Sequence, residues 1–89
     1  MSMQVLKIVN EKGLHARASA KFVEVVEAHD AAAEVTKDGM TVSGDSIMGL
    51  LMLAASRGTS IEVETSGTEA EVLAGALQAL VANRFGEDR

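Results

Sequence analysis

Asp38-Gly39 does more than any other pair of residues to limit what this chain can become. It sits in AAEVTKDGMTVSG, residues 32–44, between two short runs of alternating polar and apolar residues. Asp-Gly accepts the positive φ angles that a two-residue type I′ turn demands, and that turn twists with the strands it joins. The stretch therefore reads as an antiparallel hairpin, and the rest of the chain must supply partners for it.

The partners are legible on both sides. MQVLKIV, residues 3–9, alternates as a strand with Leu6 and Ile8 toward a core, and Asn10 to Gly13 makes a turn. From Ala16 to about His29, Ala20, Phe22, Val23 and Val26 recur at helical spacing, with Lys21, Glu24 and Glu27 outside. Ser46 to Ala55 reads as a short apolar helix. TSIEVETSG alternates Ile61 and Val63 with Glu62 and Glu64, the pattern of a half-buried strand. Thr68 with Glu71 forms a capping-box pattern before a last helix, whose stripe is Val72, Leu73, Ala76, Leu77, Leu80 and Val81.

The order β-α-β-β-α-β-α predicts an α+β fold, a two-layer open-faced sandwich: a four-stranded antiparallel sheet with three helices on one face. The first strand, first helix and second strand form a split β-α-β unit with another strand between. Residues 1–89 are too few for a second core, so a single domain is expected. With two Phe and no Trp or Tyr, that core must be aliphatic.

Composition also removes whole classes of function. No cysteine means no disulfide and no thiolate chemistry. A net charge of −5, with eight dispersed Lys and Arg, argues against nucleic acid. His15 and His29 match no metal-ligand spacing, so neither a metal nor a cofactor is expected. No apolar run approaches a membrane span and no signal-peptide pattern opens the chain, which makes the cytoplasm the expected location.

NEKGLHARASAKF, residues 10–22, then stands out. Gly13 permits a tight turn, Leu14 anchors it, and His15 falls at or beside the N-cap of the first helix. The first amides of a helix have no intrahelical partner, and the dipole adds positive charge there, so the place attracts anions. Arg17 brings a planar fork of donors suited to phosphate oxygens. The same dipole favours a neutral imidazole, a competent nucleophile. A nucleophilic nitrogen beside an anion cradle suits transient phosphorylation of a histidine, while a capping or solvated role is the plain alternative. His29 is assigned to the surface, without function.

SGDSIMGLLML places Ser46 as the N-cap of the short helix. Ile47, Met48, Leu50, Leu51, Met52 and Leu53 exceed what one buried face can use, so part of the helix either forms a docking patch or sinks into the core. GDSIM also resembles the serine attachment site of acyl carrier proteins, although those are helical bundles and strand patterns surround it here.

GLHARAS, SGDSIMGLLMLAASRG and GTSIEV together resemble HPr, the histidine phosphocarrier family of the bacterial phosphotransferase system, over essentially the whole chain. The resemblance implies that His15 accepts phosphate on Nδ1 from enzyme I and passes it to an enzyme IIA component, with Arg17 stabilising the phosphate. It implies a stoichiometric carrier rather than an enzyme. Ser46 matches the family's regulatory serine, the substrate of an HPr kinase/phosphorylase in some branches. The alternative is a regulatory binding module acting through the state of Ser46. Ala16, Arg17, Ala20, Ile47, Met48 and Leu51 form the expected docking face, with Lys21 adding attraction. One departure is Ala18, where the family usually has proline; this implies a slightly looser first turn and a likeness to nitrogen-related branches.

Overall fold

The computed structural model describes Met1–Arg89 throughout. Its elements run β1 (Ser2–Lys7), α1 (Ala16–Glu27), β2 (Ala32–Lys37), β3 (Met40–Ser43), α2 (Ile47–Met52), β4 (Ser60–Ser66) and α3 (Ala70–Ala82), followed by one tight turn at Arg84–Gly86. The strands form one antiparallel sheet in the order β1-β4-β2-β3. Because β1 and β2 are each antiparallel to β4, they run parallel to one another with β4 between them. This is the split β-α-β unit expected from the sequence, and the α+β order is the expected one.

Alternation along the strands sorts the two faces of the sheet. Leu6, Ala33, Val35, Ile61 and Val63 are buried toward the helices, against Phe22 of α1 and Leu73, Leu77 and Val81 of α3. On the other face Met3 pairs with Glu64 and Val5 with Glu62, and Glu34 lies opposite Glu64. The hairpin turns at Asp38 (φ 52°) and Gly39 (φ 81°), both left-handed as a type I′ turn requires. No helix is long and apolar enough to cross a membrane.

The elements hold, but several details differ from expectation. β1 ends at Lys7 rather than residue 9, although Leu6 and Ile8 are both buried. In α1 the buried face includes Ala18 and Ser19, leaving Ala20 only half-buried. α2 stops at Met52 instead of Ala55, because the chain turns into the left-handed region at Ala54 (φ 51°). The Thr68–Glu71 capping box does not form: Glu69 is the N-cap, with no side-chain cap. Its carboxylate instead accepts the Asp30 N–H at 2.6 Å, tying the start of α3 to the loop after α1. α3 thus buries Ala70, Leu73, Ala74, Leu77 and Val81, and Val72, assigned to the buried stripe, is 59% exposed.

Candidate functional site

The loop before α1 is built to hold His15 at the helix mouth. Gly13 adopts φ +68°, and its N–H donates to the Asn10 carbonyl at 3.2 Å. Asn10, fully buried, donates its side-chain amide back to the Gly13 carbonyl at 2.8 Å. The Leu14 N–H then donates to the Ala55 carbonyl at 2.8 Å, and its side chain is buried. The loop is therefore pinned by its own turn and by the segment after α2. His15 follows as the N-cap residue of α1, in extended conformation, with no side-chain cap on the helix. The N–H groups of Ala16 and Arg17 consequently have no partner in the chain.

The imidazole is held from the far end of the sequence. Its Nε2 meets the carboxylate Oε2 of Glu87. The other oxygen, Oε1, accepts the second N–H of the Asn10 amide at 3.1 Å. Burial alone raises the affinity of the Glu87 carboxyl for its proton. The hydrogen bonds from His15 and Asn10, with the nearby charges of His15 and Lys12, outweigh this and hold it below its ordinary value. An ionised carboxylate only accepts, so Nε2 carries the hydrogen. The chain makes no hydrogen bond to Nδ1.

Reaching His15 requires the tail to turn sharply. Arg84 and Phe85 both adopt φ 54°, which for side-chain-bearing residues costs about 1–2 kcal/mol each. Two contacts offset that strain. Phe85 is fully buried in the core cluster, worth roughly 2–3 kcal/mol. Lys21 donates its ammonium to the Phe85 carbonyl at 2.6 Å. This corrects the assignment of Lys21 to an exposed, partner-attracting stripe: it is half-buried and engaged with the tail.

An open cavity of about 690 Å³ lies before the imidazole, lined by Glu11, Lys12, His15, Ala16, Arg17 and the last three residues. Arg17 is exposed and makes no ion pair, so its guanidinium is available to a ligand. Ser46 caps α2 as expected, its Oγ accepting the Gly49 N–H at 3.0 Å. Of the expected docking residues, Ala16, Ile47 and Met48 are exposed, the last by 71%, and Ala20 and Leu51 are half-buried. They sit on α1 and α2, which pack against each other. Leu50 and Leu53 sink into the core, so the apolar excess of this segment divides between core and surface. His29 is half-buried, its Nδ1 donating to the Val25 carbonyl at 2.7 Å.

Sequence reasoning missed Glu87. The one available signal was Phe85, an aromatic residue beyond the last helical stripe in a chain with only one other. Such a residue demands burial, and burying it returns the tail to the body of the fold.

Comparisons with known proteins agree with this geometry. Residues 3–83 match the family model described as "PTS HPr component phosphorylation site". The chain is 46% identical over 87 residues to the phosphocarrier protein HPr of Neisseria meningitidis serogroup A, covering 98% of each chain. It is 36% identical over 86 residues to the phosphocarrier protein NPr of Escherichia coli K12, covering 96% of each. Its structure superposes on HPr from Thermoanaerobacter tengcongensis with a TM-score of 0.95 at 34% identity, over the full length of both chains. A sheet-based fold of this order also removes the acyl-carrier resemblance around Ser46. From the pinned helix mouth to the full-length match, these findings converge: the chain belongs to the HPr family of phosphocarriers of the phosphotransferase system.

Proposed function

We propose that this chain accepts a phosphoryl group from enzyme I on Nδ1 of His15 and delivers it to an enzyme IIA component, acting as a stoichiometric carrier in the cytoplasm. The reading rests above all on an imidazole at the mouth of α1 with one nitrogen occupied by Glu87 and the other unclaimed. The Nδ1 lone pair attacks phosphorus in line with the departing group, and charge spreads over three equatorial oxygens. The N–H groups of Ala16 and Arg17, the dipole of α1 and the Arg17 guanidinium are suited to receive those oxygens. No other group is needed, because the carrier must keep its cargo from water until a partner arrives.

The greater identity to HPr than to NPr supports the general relay over the nitrogen-related one. Ala16, Ala20, Ile47, Met48 and Leu51 form the docking face in this reading, a small patch suited to brief encounters. Ser46 is the regulatory position, open to an HPr kinase/phosphorylase. A phosphate there adds about two negative charges beside Ile47 and Met48, and weakens docking without unfolding α2.

The test is intact-mass measurement after incubation with enzyme I and phosphoenolpyruvate, with and without an acid step. Acid-labile addition of one phosphate, abolished by His15→Ala, is expected. Label retained in that variant, or acid-stable addition, overturns the reading.

A further inference from the structure

We infer that Glu87 is a positioning residue for phosphoryl transfer: it keeps the proton on Nε2 of His15 through loading and unloading, so that the ring always departs as neutral imidazole. The inference rests on His15 being the phosphoacceptor and adds to that reading the residue that governs how readily the phosphate leaves.

On loading, the Nδ1 lone pair forms the N–P bond, and the phosphorylated donor protein keeps the electrons of the bond it loses. The product is a phosphorylated imidazolium, positive because Nε2 still bears its hydrogen. On unloading, the N–P electrons return to the ring and leave neutral imidazole, with its Nε2–H unchanged. Had Nε2 lost its proton, the same cleavage would expel imidazolate, a far poorer leaving group. A carboxylate against Nε2 stabilises the protonated, transferable form and requires no proton to move in either direction.

Three features show that the contact is built rather than incidental. Both oxygens of Glu87 are engaged, one with His15 and one with the fully buried Asn10, whose own amide holds the Gly13 turn. The tail that presents Glu87 passes through two left-handed, side-chain-bearing residues, Arg84 and Phe85. Strain of that kind persists only where the surroundings over-determine it, and here the burial of Phe85 and the Lys21 ammonium do so. The remaining charges around the ring are Glu11 and Lys12 from the turn, Arg17 from α1, and Asp88 and Arg89 from the tail. They are mixed in sign, and among them all only Glu87 makes a hydrogen bond with the His15 ring.

The experiment uses the full chain and Glu87→Gln, which keeps size and loses charge. Each is loaded with enzyme I and phosphoenolpyruvate, freed of donor, and followed by intact mass as the phosphate is lost across the pH range above neutrality. The wild-type chain is expected to stay labile to a pH about one unit higher than E87Q, a tenfold difference in hold on the proton. In the unloaded protein, nitrogen-edited NMR is expected to show a slowly exchanging Nε2–H that Glu87→Ala abolishes. Coincident pH profiles, or an Nε2–H signal indifferent to Glu87→Ala, overturn the inference while leaving the carrier reading intact. A wild-type chain that takes no phosphate overturns the carrier reading, and this inference with it.

Discussion

Gly13 lies against Ala55 so closely that a Cβ added to it would stand 2.5 Å from the Ala55 carbonyl oxygen. That oxygen already receives the Leu14 N–H, so it cannot retreat without releasing the loop that carries His15. Gly13→Ala therefore combines a left-handed φ with a backbone collision and is expected to destabilise the fold by about 2–4 kcal/mol. Gly39→Ala has a similar φ with nothing within 4 Å, and should cost about 1–2 kcal/mol. Urea titrations followed by far-UV circular dichroism separate the two, since the chain has no tryptophan or tyrosine to report by fluorescence.

Phe85→Ala removes a fully buried aromatic ring and is expected to cost about 3–5 kcal/mol. It should also free the tail, so Glu87 loses its approach to His15. In this variant the urea midpoint should fall and the slowly exchanging His15 Nε2–H signal should be lost with it.

Acid acts on the same contact. The Glu87 carboxyl is lower in proton affinity when folded than when unfolded. Its contribution to stability is thus complete above the ordinary glutamate value, about 4.3, and is lost as pH falls through the lower folded value. Glu87→Gln should flatten that part of the stability–pH curve, as measured by urea midpoints from neutrality downward.

Ser46→Ala removes the oxygen that accepts the Gly49 N–H, with an expected loss of about 1 kcal/mol. Ser46→Asp supplies another capping oxygen and should leave the urea midpoint within about 0.5 kcal/mol of wild type. A docking defect in Ser46→Asp alone would then reflect charge at the interface rather than a damaged helix.

The strands and helices were legible because each carries its own period: alternation from Ala32 to Ser43 and around Ile61 and Val63, helical spacing through Phe22 and Val26. Leu6 and Ile8 are buried by the same alternation. Thr68 and Glu71 misled because a capping box is a local pattern, whereas the start of α3 is set by Glu69 bonding to Asp30, thirty-nine residues away in sequence. Val72 adjoins the apolar stripe in sequence, yet the face set by Ala70, Leu73, Ala74, Leu77 and Val81 leaves it exposed.

At the site, His15, Arg17 and Ser46 could be singled out because the turn, the helix start and the cap lie within a few residues of each. Glu87 is seventy-two residues from His15, and nothing periodic joins them. Lys21 had the same difficulty: its charge suggested solvent, and only the returning tail reveals the carbonyl it serves.

The sheet order has one more consequence, for the birth of the molecule. β4 lies between β1 and β2, yet its residues are among the later ones made. A nascent chain that stops before Ser60 owns a leading strand and a hairpin with nothing to bridge them. Assembly of the sheet must therefore wait until residues 60–66 leave the ribosome. Prematurely terminated products, lacking that bridge, should be cleared by proteases instead of lingering as half-working copies.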